Sequence, residues 1–467
     1  MASHALWFIL ATAWLFSSVE LASAMHQPEG HHAARSTTDD SNNNIHTCRC
    51  FPGDACWPTA KEWAKFNATV GGRLVATVPI AAVCHHDPFT RYNAEACQAL
   101  LDVWGYPQTH ISSSSSPMAE FFANGSCNPH TPPSDQCVVG ALVQYSVNVS
   151  AASPDESVAD YRATLAFAST RNIRLVIRNT GHDYFGKSTG PGALALWTHH
   201  LNGINVVDYS SAYYMGKALR LGAGVSVSEA YQAASAAGLV VVGGNCDTVG
   251  LSGGYMQGGG HGPLASSFGL GADNVLEWEV ITADGGHIVA KPGTDYDDLY
   301  WALSGGGGGT YAAVLSVTIR AHPDMKFSGA NLTVVQGSNV SSDIFYSVVQ
   351  TFVESAPKFA DLGVYISWAL QEGVFLVYPA IAANVSANTL QALFDPTLAA
   401  LNNSGMYFGK LSRFLFVLPY PHPFFLFICL FLVMVPLIHQ VYTRLFHRRF
   451  CVISGRLPRR RALQQCY

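Results

Sequence analysis

The chain has 467 residues, 49% of them apolar and only 12% charged. That is length enough for two domains, and the composition excludes a disordered chain or a nucleic-acid-binding protein. The net charge of −5 conceals a break, because Leu411 to Tyr467 holds eight arginines and no acidic residue, leaving the remainder markedly acidic.

Residues 1–24 read as a signal peptide. An apolar core from Ala5 to Phe16 leads to the small-residue pattern Ala22-Ser23-Ala24, although the n-region has no Lys or Arg. A buried N-terminal helix is the alternative. Seven Asn-x-Ser/Thr sequons (Asn67, Asn124, Asn148, Asn331, Asn339, Asn384 and Asn402) agree with export. Residues 25–136 begin with a polar lead-in to Asn44. Cys48, Cys50, Cys56, Cys84, Cys97 and Cys127 follow, and Cys137 stands at the end. In an oxidising compartment these predict a disulfide-stapled segment in which one thiol is free or pairs elsewhere. Zinc on Cys48, Cys50 and Cys56 is the alternative, but no His/Cys pair has finger spacing. Cys48 to Leu101 reads as an extended cap leading to a short helix, and Ser112 to Ser116 as a loop.

From Val138 the pattern becomes βαβ. Val143 to Val149 alternates as a strand, and Ser153-Pro154-Asp155-Glu156 starts a helix with a capping residue, a proline in the first turn and an acid three residues on. Val158, Tyr161, Leu165 and Ala168 share one helical face, and strand Leu175 to Arg178 follows. The plan repeats with strand Leu219 to Leu221, a capping box of Ser226 and Glu229, helix Val227 to Ala236, and strand Leu239 to Val242. Val275 to Thr282 and His287 to Ala290 flank Asp284-Gly285, a hairpin signal. Tyr311 to Ala321 closes this unit, 137–323. Residues 324–410 change style, with a helix around Ser342 to Ala356 and long alternating strands at Leu362 to Leu370 and Gly373 to Tyr378. The fold class is therefore α+β. Residues 411–467 form an apolar and basic tail. The stretch Phe424 to Ile438 falls short of the roughly 20 residues that span a bilayer. It reads either as a membrane anchor with a positive cytoplasmic flank or as a wrongly joined coding sequence.

Each of the two repeated strands delivers a glycine-containing loop. The first is Arg178-Asn179-Thr180-Gly181-His182-Asp183-Tyr184. The second is Gly243-Gly244-Asn245-Cys246-Asp247-Thr248-Val249-Gly250, continuing through Gly253, Gly254 and Gly258-Gly259-Gly260-His261-Gly262. Glycines at strand ends let backbone N–H groups approach a pyrophosphate. His182 and Cys246 beside such a cradle can carry a cofactor covalently.

These loops, with Trp197-Thr198-His199-His200-Leu201, Gly271-Ala272-Asp273-Asn274 and Ser304-Gly305-Gly306-Gly307-Gly308-Gly309-Thr310 in this order, resemble the secreted FAD-linked oxidases of the vanillyl-alcohol-oxidase (VAO) superfamily. The likeness is to the berberine-bridge-enzyme-like fungal branch and covers roughly Cys137 to His322. It implies a two-subdomain PCMH-type FAD-binding domain at 137–323 and an incomplete α+β substrate domain with an antiparallel sheet at 324–410. It also implies FAD bonded to His182 through the flavin 8α carbon, with a second link to Cys246, for which an inert buried cysteine is the alternative. Arg178, Asn179, Thr180, Gly181 and Asp183 would form the pyrophosphate loop with Ser188 beside it. Thr248, Val249, Gly250, Gly253, Gly254, Gly258, Gly259, Gly260 and His261 would line the ring, with a core histidine as the alternative for His261. Asp273 and Asn274 would serve the adenosine side or simply a turn. Val249 matches a position governing dioxygen approach, or else it only packs. The implied reaction takes hydride from a small-molecule alcohol, amine, sugar or secondary metabolite to FAD, with dioxygen as acceptor and hydrogen peroxide as product. A dehydrogenase with another acceptor and a truncated non-catalytic flavin fold are the alternatives. No catalytic base is assigned. Tyr365 and Trp368, three apart on one strand, face opposite sides. No resident metal is expected.

Overall fold

A computed structural model of the chain describes residues 48–86, 88–118, 120–123, 126–150, 153–408 and 412–416. The expected signal peptide, the polar lead-in and the sequence beyond Phe416 lie outside the described residues.

The N-terminal segment is anchored by helix α1 (Ala60–Thr69), where Thr59 and Glu62 form a reciprocal capping box. Its buried Trp63 and Phe66 reach inward, with ring centroids 4.2 Å from Tyr145 and Phe167 respectively. Strand β1 (Leu74–Ala76) follows, then helices α2 (Ala94–Val103) and α3 (Pro107–Ile111). Disulfides join Cys50 to Cys56, Cys84 to Cys97 and Cys127 to Cys137, while Cys48 is an exposed free thiol. The odd cysteine is thus Cys48, and the Cys50–Cys56 bond removes two of the three sulfurs that zinc would have needed.

The first sheet holds β1, β2 (Tyr145–Asn148), β4 (Leu194–Trp197) and β3 (Leu175–Arg178), in the order β1-β2-β4-β3. Its last three strands run parallel and β1 is antiparallel to β2. Helix α4 (Pro154–Thr170) starts at the expected Ser153 cap. Its Tyr161 is fully buried and donates to the Val314 carbonyl at 2.8 Å, so the helix joins the first sheet to the second. One core contains Val158 and Tyr161 from the helix, Leu194 and Leu196 from β4, and Ile281, Ala313 and Leu315 from the second sheet.

That second sheet is antiparallel, in the order β5-β6-β10-β8-β9, with β5 Ile204–Ser210, β6 Met215–Gly222, β8 Val275–Ile281, β9 His287–Ala290 and β10 Ala313–Arg320. The β8–β9 hairpin turns at Asp284-Gly285 as expected, with Gly285 at φ +87°. Helix α5 (Val227–Ala236) has the expected Ser226/Glu229 capping box and buries Val227, Ala230 and Ala234. The strand expected at 239–242 is shorter. Strand β7 covers Leu239–Val240 and pairs with β11 (His322–Pro323), a partner too distant in sequence for local pattern to reveal. Val241 and Val242 are buried as the chain leaves the ladder toward the second loop. Helix α6 (Asp297–Leu303) packs beside this sheet.

The last unit is an antiparallel sheet of β13 (Tyr365–Gln371), β14 (Val374–Ala383) and β12 (Phe327–Val335). The far edge of β12 is taken by β15 (Tyr407–Phe408) and β16 (Ser412–Phe416). Helices α7 (Ser342–Asp361) and α8 (Ala387–Ser404) bury Phe345, Phe352, Phe359, Phe394 and Leu401 with Phe375 and Val377 of β14. Two expectations shift here. The helix runs to Asp361 rather than Ala356, because Phe359 still belongs to its buried face, so the strand starts at Tyr365 after Gly363 at φ +66°. The sheet also continues past the expected boundary at 410, since β16 pairs with the first half of β12.

Candidate cofactor site

Strand β3 ends at Arg178, whose side chain is fully buried. Its guanidinium donates to the carbonyls of Ser113 (3.2 Å), His110 (3.1 Å) and Ser116 (2.6 Å), leaving Nη1 buried without a partner. The serine run is a loop, as expected, and its second half forms a buried floor, with Ser114, Ser115 and Ser116 each under 9% exposed. Burial pushes Arg178 down to about 10, opposed by Asp183. A β-carbon at Gly181 would lie 2.6 Å from Arg178 Nη1, and the residue sits at φ +80°, so only glycine serves at this turn. The backbone N–H groups of Thr180, Gly181 and His182 make no hydrogen bond among the described residues. With the unpaired Arg178 Nη1 they form a donor set suited to phosphate oxygens.

Asp183 does something different. Its carboxylate accepts from the N–H groups of Phe185, Lys187 and Ser188 at 2.7–3.0 Å, so it closes the loop on itself, and Ser188 is part of that closure. The Asn179 amide donates to the Ala223 carbonyl at 2.6 Å, and its oxygen is buried without a partner. Lys187 donates to the Gly308 carbonyl and the Thr310 hydroxyl, bringing the 304–310 glycine loop into the same site.

The second loop docks on the start of α5, where Val227 and Ser228 donate to the carbonyls of Val249 and Asp247. It meets the first loop twice. Gly250 N–H donates to the Thr180 hydroxyl at 3.3 Å, and the Thr248 hydroxyl lies 2.7 Å from His182 Nε2. A β-carbon at Gly250 would overlap Asn179 at 2.0 Å, so the approach requires glycine. Burial holds His182 down at about 4, helped by His110 and Arg178, and its imidazole is neutral at ordinary pH. Cys246 takes part in a disulfide. Thr248 is buried, and Val249 packs against the core of the second sheet.

Gly253 interrupts a helical turn, and Gly254 approaches Gly308 backbone to backbone. Gly254 and Gly258 are exposed and Gly259-Gly260 half-exposed along one edge. His261 is exposed, with its ring stacked 6.5 Å from Tyr365. It is not a core histidine. Asn274 is buried with its whole amide engaged. Its nitrogen donates to the carbonyls of Phe268 and Leu270, and its oxygen pairs with His322. Asp273 accepts from Leu270 N–H. Both side chains therefore brace the turn from Phe268 to Asn274.

Residues beyond the sequence motifs complete the site. Tyr365 of β13 accepts from Asn245, the neighbour of Cys246, at 2.7 Å, and burial pushes its phenol up. Trp368 is half-exposed and packs on Phe375, so the two aromatics do part company. Tyr255 lies against Gly244, Gly260 and Gly271. Local periodicity could not have shown the Asn245–Tyr365 contact, because it crosses between elements 120 residues apart. The motif Trp197 to Leu201 proves to be a bracket. Thr198 donates twice to the Arg178 carbonyl, and the Leu201 carbonyl accepts from Gly224.

Open N–H groups, a buried unpaired guanidinium nitrogen, a glycine edge and a neutral imidazole fit a flavin dinucleotide. Comparison with known proteins agrees. The profile of an FAD binding domain matches residues 155–291. The chain is 49% identical to the FAD-linked oxidoreductase sor8 of Hypocrea jecorina over 362 residues, covering 78% of this chain and 61% of that protein. It is 47% identical to the FAD-linked oxidoreductase sthB of Phaeosphaeria nodorum, covering 62% of this chain and 90% of that one. The crystal structure of the VAO-type flavoprotein MtVAO615 from Myceliophthora thermophila superposes with a TM-score of 0.73 at 42% identity, covering 80% of this chain and 69% of that one. The chain spans about three fifths of the length of several of its curated relatives. On these matches and this fold, the chain belongs to the VAO-type family of FAD-linked oxidoreductases.

Proposed function

We propose that the protein is an exported FAD-dependent oxidase, taking hydride from a small-molecule alcohol, amine, sugar or secondary metabolite and passing the electrons to dioxygen to give hydrogen peroxide. The observation that carries this reading is the meeting of the two loops. His182 and the open N–H groups of Thr180 to His182 stand on one side, and Thr248 and the glycine edge on the other. Bound there, FAD supplies the hydride-accepting ring, and the protein binds and orients it. Thr180, Gly181, His182 and Arg178 Nη1 would hold phosphate oxygens. Asn179 and Asp183 keep the loop in shape. His182 carries the ring covalently.

Cys246 is the second candidate for a flavin bond. One sulfur cannot hold a disulfide and a thioether at once, so a second flavin bond would require Cys246 as a free thiol. Tyr365, held by Asn245 beside Cys246 with its phenol kept protonated by burial, is a wall of the substrate space. Val249 stands at the position proposed to govern dioxygen approach.

The test is peroxide production by the full chain reconstituted with FAD, across a panel of primary alcohols, benzylic alcohols, amines and oligosaccharides. Stoichiometric peroxide with consumed oxygen supports an oxidase. Flavin reduction by substrate without oxygen uptake favours a dehydrogenase. No reduction by any panel member counts against catalysis by this chain.

A further inference from the structure

The two loops are joined by two rungs in antiparallel register, Thr180 to Gly250 and His182 to Thr248, two residues apart on each side. The first rung ties the Gly250 backbone to the Thr180 side chain. The second fixes a ring, because His182 Nε2 is tied to the Thr248 hydroxyl at 2.7 Å while Nδ1 has no protein partner among the described residues and is not among the buried, unpaired atoms. Thr248 is 7% exposed, so water does not compete freely for this contact.

We infer that Thr248 is a positioning residue for cofactor attachment: its hydroxyl holds His182 by Nε2 so that Nδ1 presents its lone pair to the flavin 8α carbon. This rests on the reading of His182 as the flavin-bearing residue. A hydroxyl suits the task because it can both accept and donate. It accepts from Nε2–H before attachment. Once Nδ1 has formed the C–N bond and the Nε2 proton has left for solvent, the same hydroxyl donates to the Nε2 lone pair. The overall change balances as imidazole N–H plus 8α C–H plus dioxygen giving the C–N bond and hydrogen peroxide. One hydrogen leaves each partner, and two electrons pass to dioxygen. The neighbours facing His182 are His110 and Arg178, both of which oppose its protonation and so preserve the lone pair.

The experiment uses full-length protein produced without flavin, to which FAD is added under air. Acid-precipitated samples are mapped by peptide mass for flavin on the His182 peptide over time. Thr248→Val should slow adduct formation at least tenfold, whereas Thr248→Ser should stay within about threefold of the parent, which a purely packing role would not predict. Equal rates for Thr248→Val and the parent would overturn the inference while leaving the flavin reading intact. No adduct in the parent would remove both. Should Thr248→Val not fold, the parent adduct decides by isotope-edited NMR on labelled histidine. A bond through Nδ1 is expected, and one through Nε2 would overturn the inference.

Discussion

Arg178 holds a positive charge at a fully buried position and gives its protons to three carbonyl oxygens rather than to a carboxylate. Lysine cannot reproduce that fork, and its replacement would strand buried acceptors at about 1–3 kcal/mol each. Arg178→Lys should therefore lose on the order of 3 kcal/mol of unfolding free energy, measured by chemical denaturation. A loss under about 0.5 kcal/mol would mean that the carbonyls find water instead. In the flavin-free protein a pH dependence follows from His110 and His182, both held neutral by burial at about 4 against an ordinary value of 6.5. The unfolded chain binds protons that the folded one refuses between those values. Their contribution is thus fully present above about 6.5 and is lost as pH falls toward about 4. Denaturation midpoints should decline over that window, and His110→Asn should flatten the decline. An unchanged slope in the variant would contradict the assignment for His110, whose ring bridges Ser116 and the Trp104 carbonyl.

At the scale of elements, the helices of the flavin-binding part and the β8–β9 hairpin were legible because their signals are local. The Ser153 and Ser226 caps and Asp284-Gly285 each act within a few residues. Pairing across distance was not legible. Strand β7 is short because its partner is His322–Pro323, and Arg178 holds the serine run by the Ser113 and Ser116 carbonyls from more than sixty residues on. Within the site, the need for glycine at Gly181 and Gly250 could be read from sequence, since close approach depends on residue type. The Thr248–His182 and Asn245–Tyr365 pairs could not, because they depend on where two loops meet. Two predictions belong here. Tyr161 ties α4 to β10 through the Val314 carbonyl, so Tyr161→Phe should cost about 1–2 kcal/mol by leaving that acceptor buried and unpaired. A neutral result in urea denaturation would show that the helix does not depend on the bond. The Cys127–Cys137 disulfide closes a short loop beside the serine floor, and replacing both cysteines by serine should cost about 2–3 kcal/mol. Unchanged thermal melting would contradict its role as a staple.

For the whole molecule, the fold brings three glycine-bearing loops, each adjoining a different sheet, to one place and sets Tyr365 of the last sheet against them. Among the described residues no helix is long and apolar enough to cross a membrane. The apolar stretch that raised the question of an anchor lies mostly beyond Phe416, outside the described residues. The central claim is that the loops ending at His182 and Gly250 form a covalent flavin site. The most direct measurement is the mass of tryptic peptides from acid-precipitated full-length protein. The account predicts a flavin-mass increment on the peptide bearing His182, abolished in His182→Ala. Protein that releases all its flavin on precipitation, or carries it on a peptide without His182 or Cys246, would contradict it.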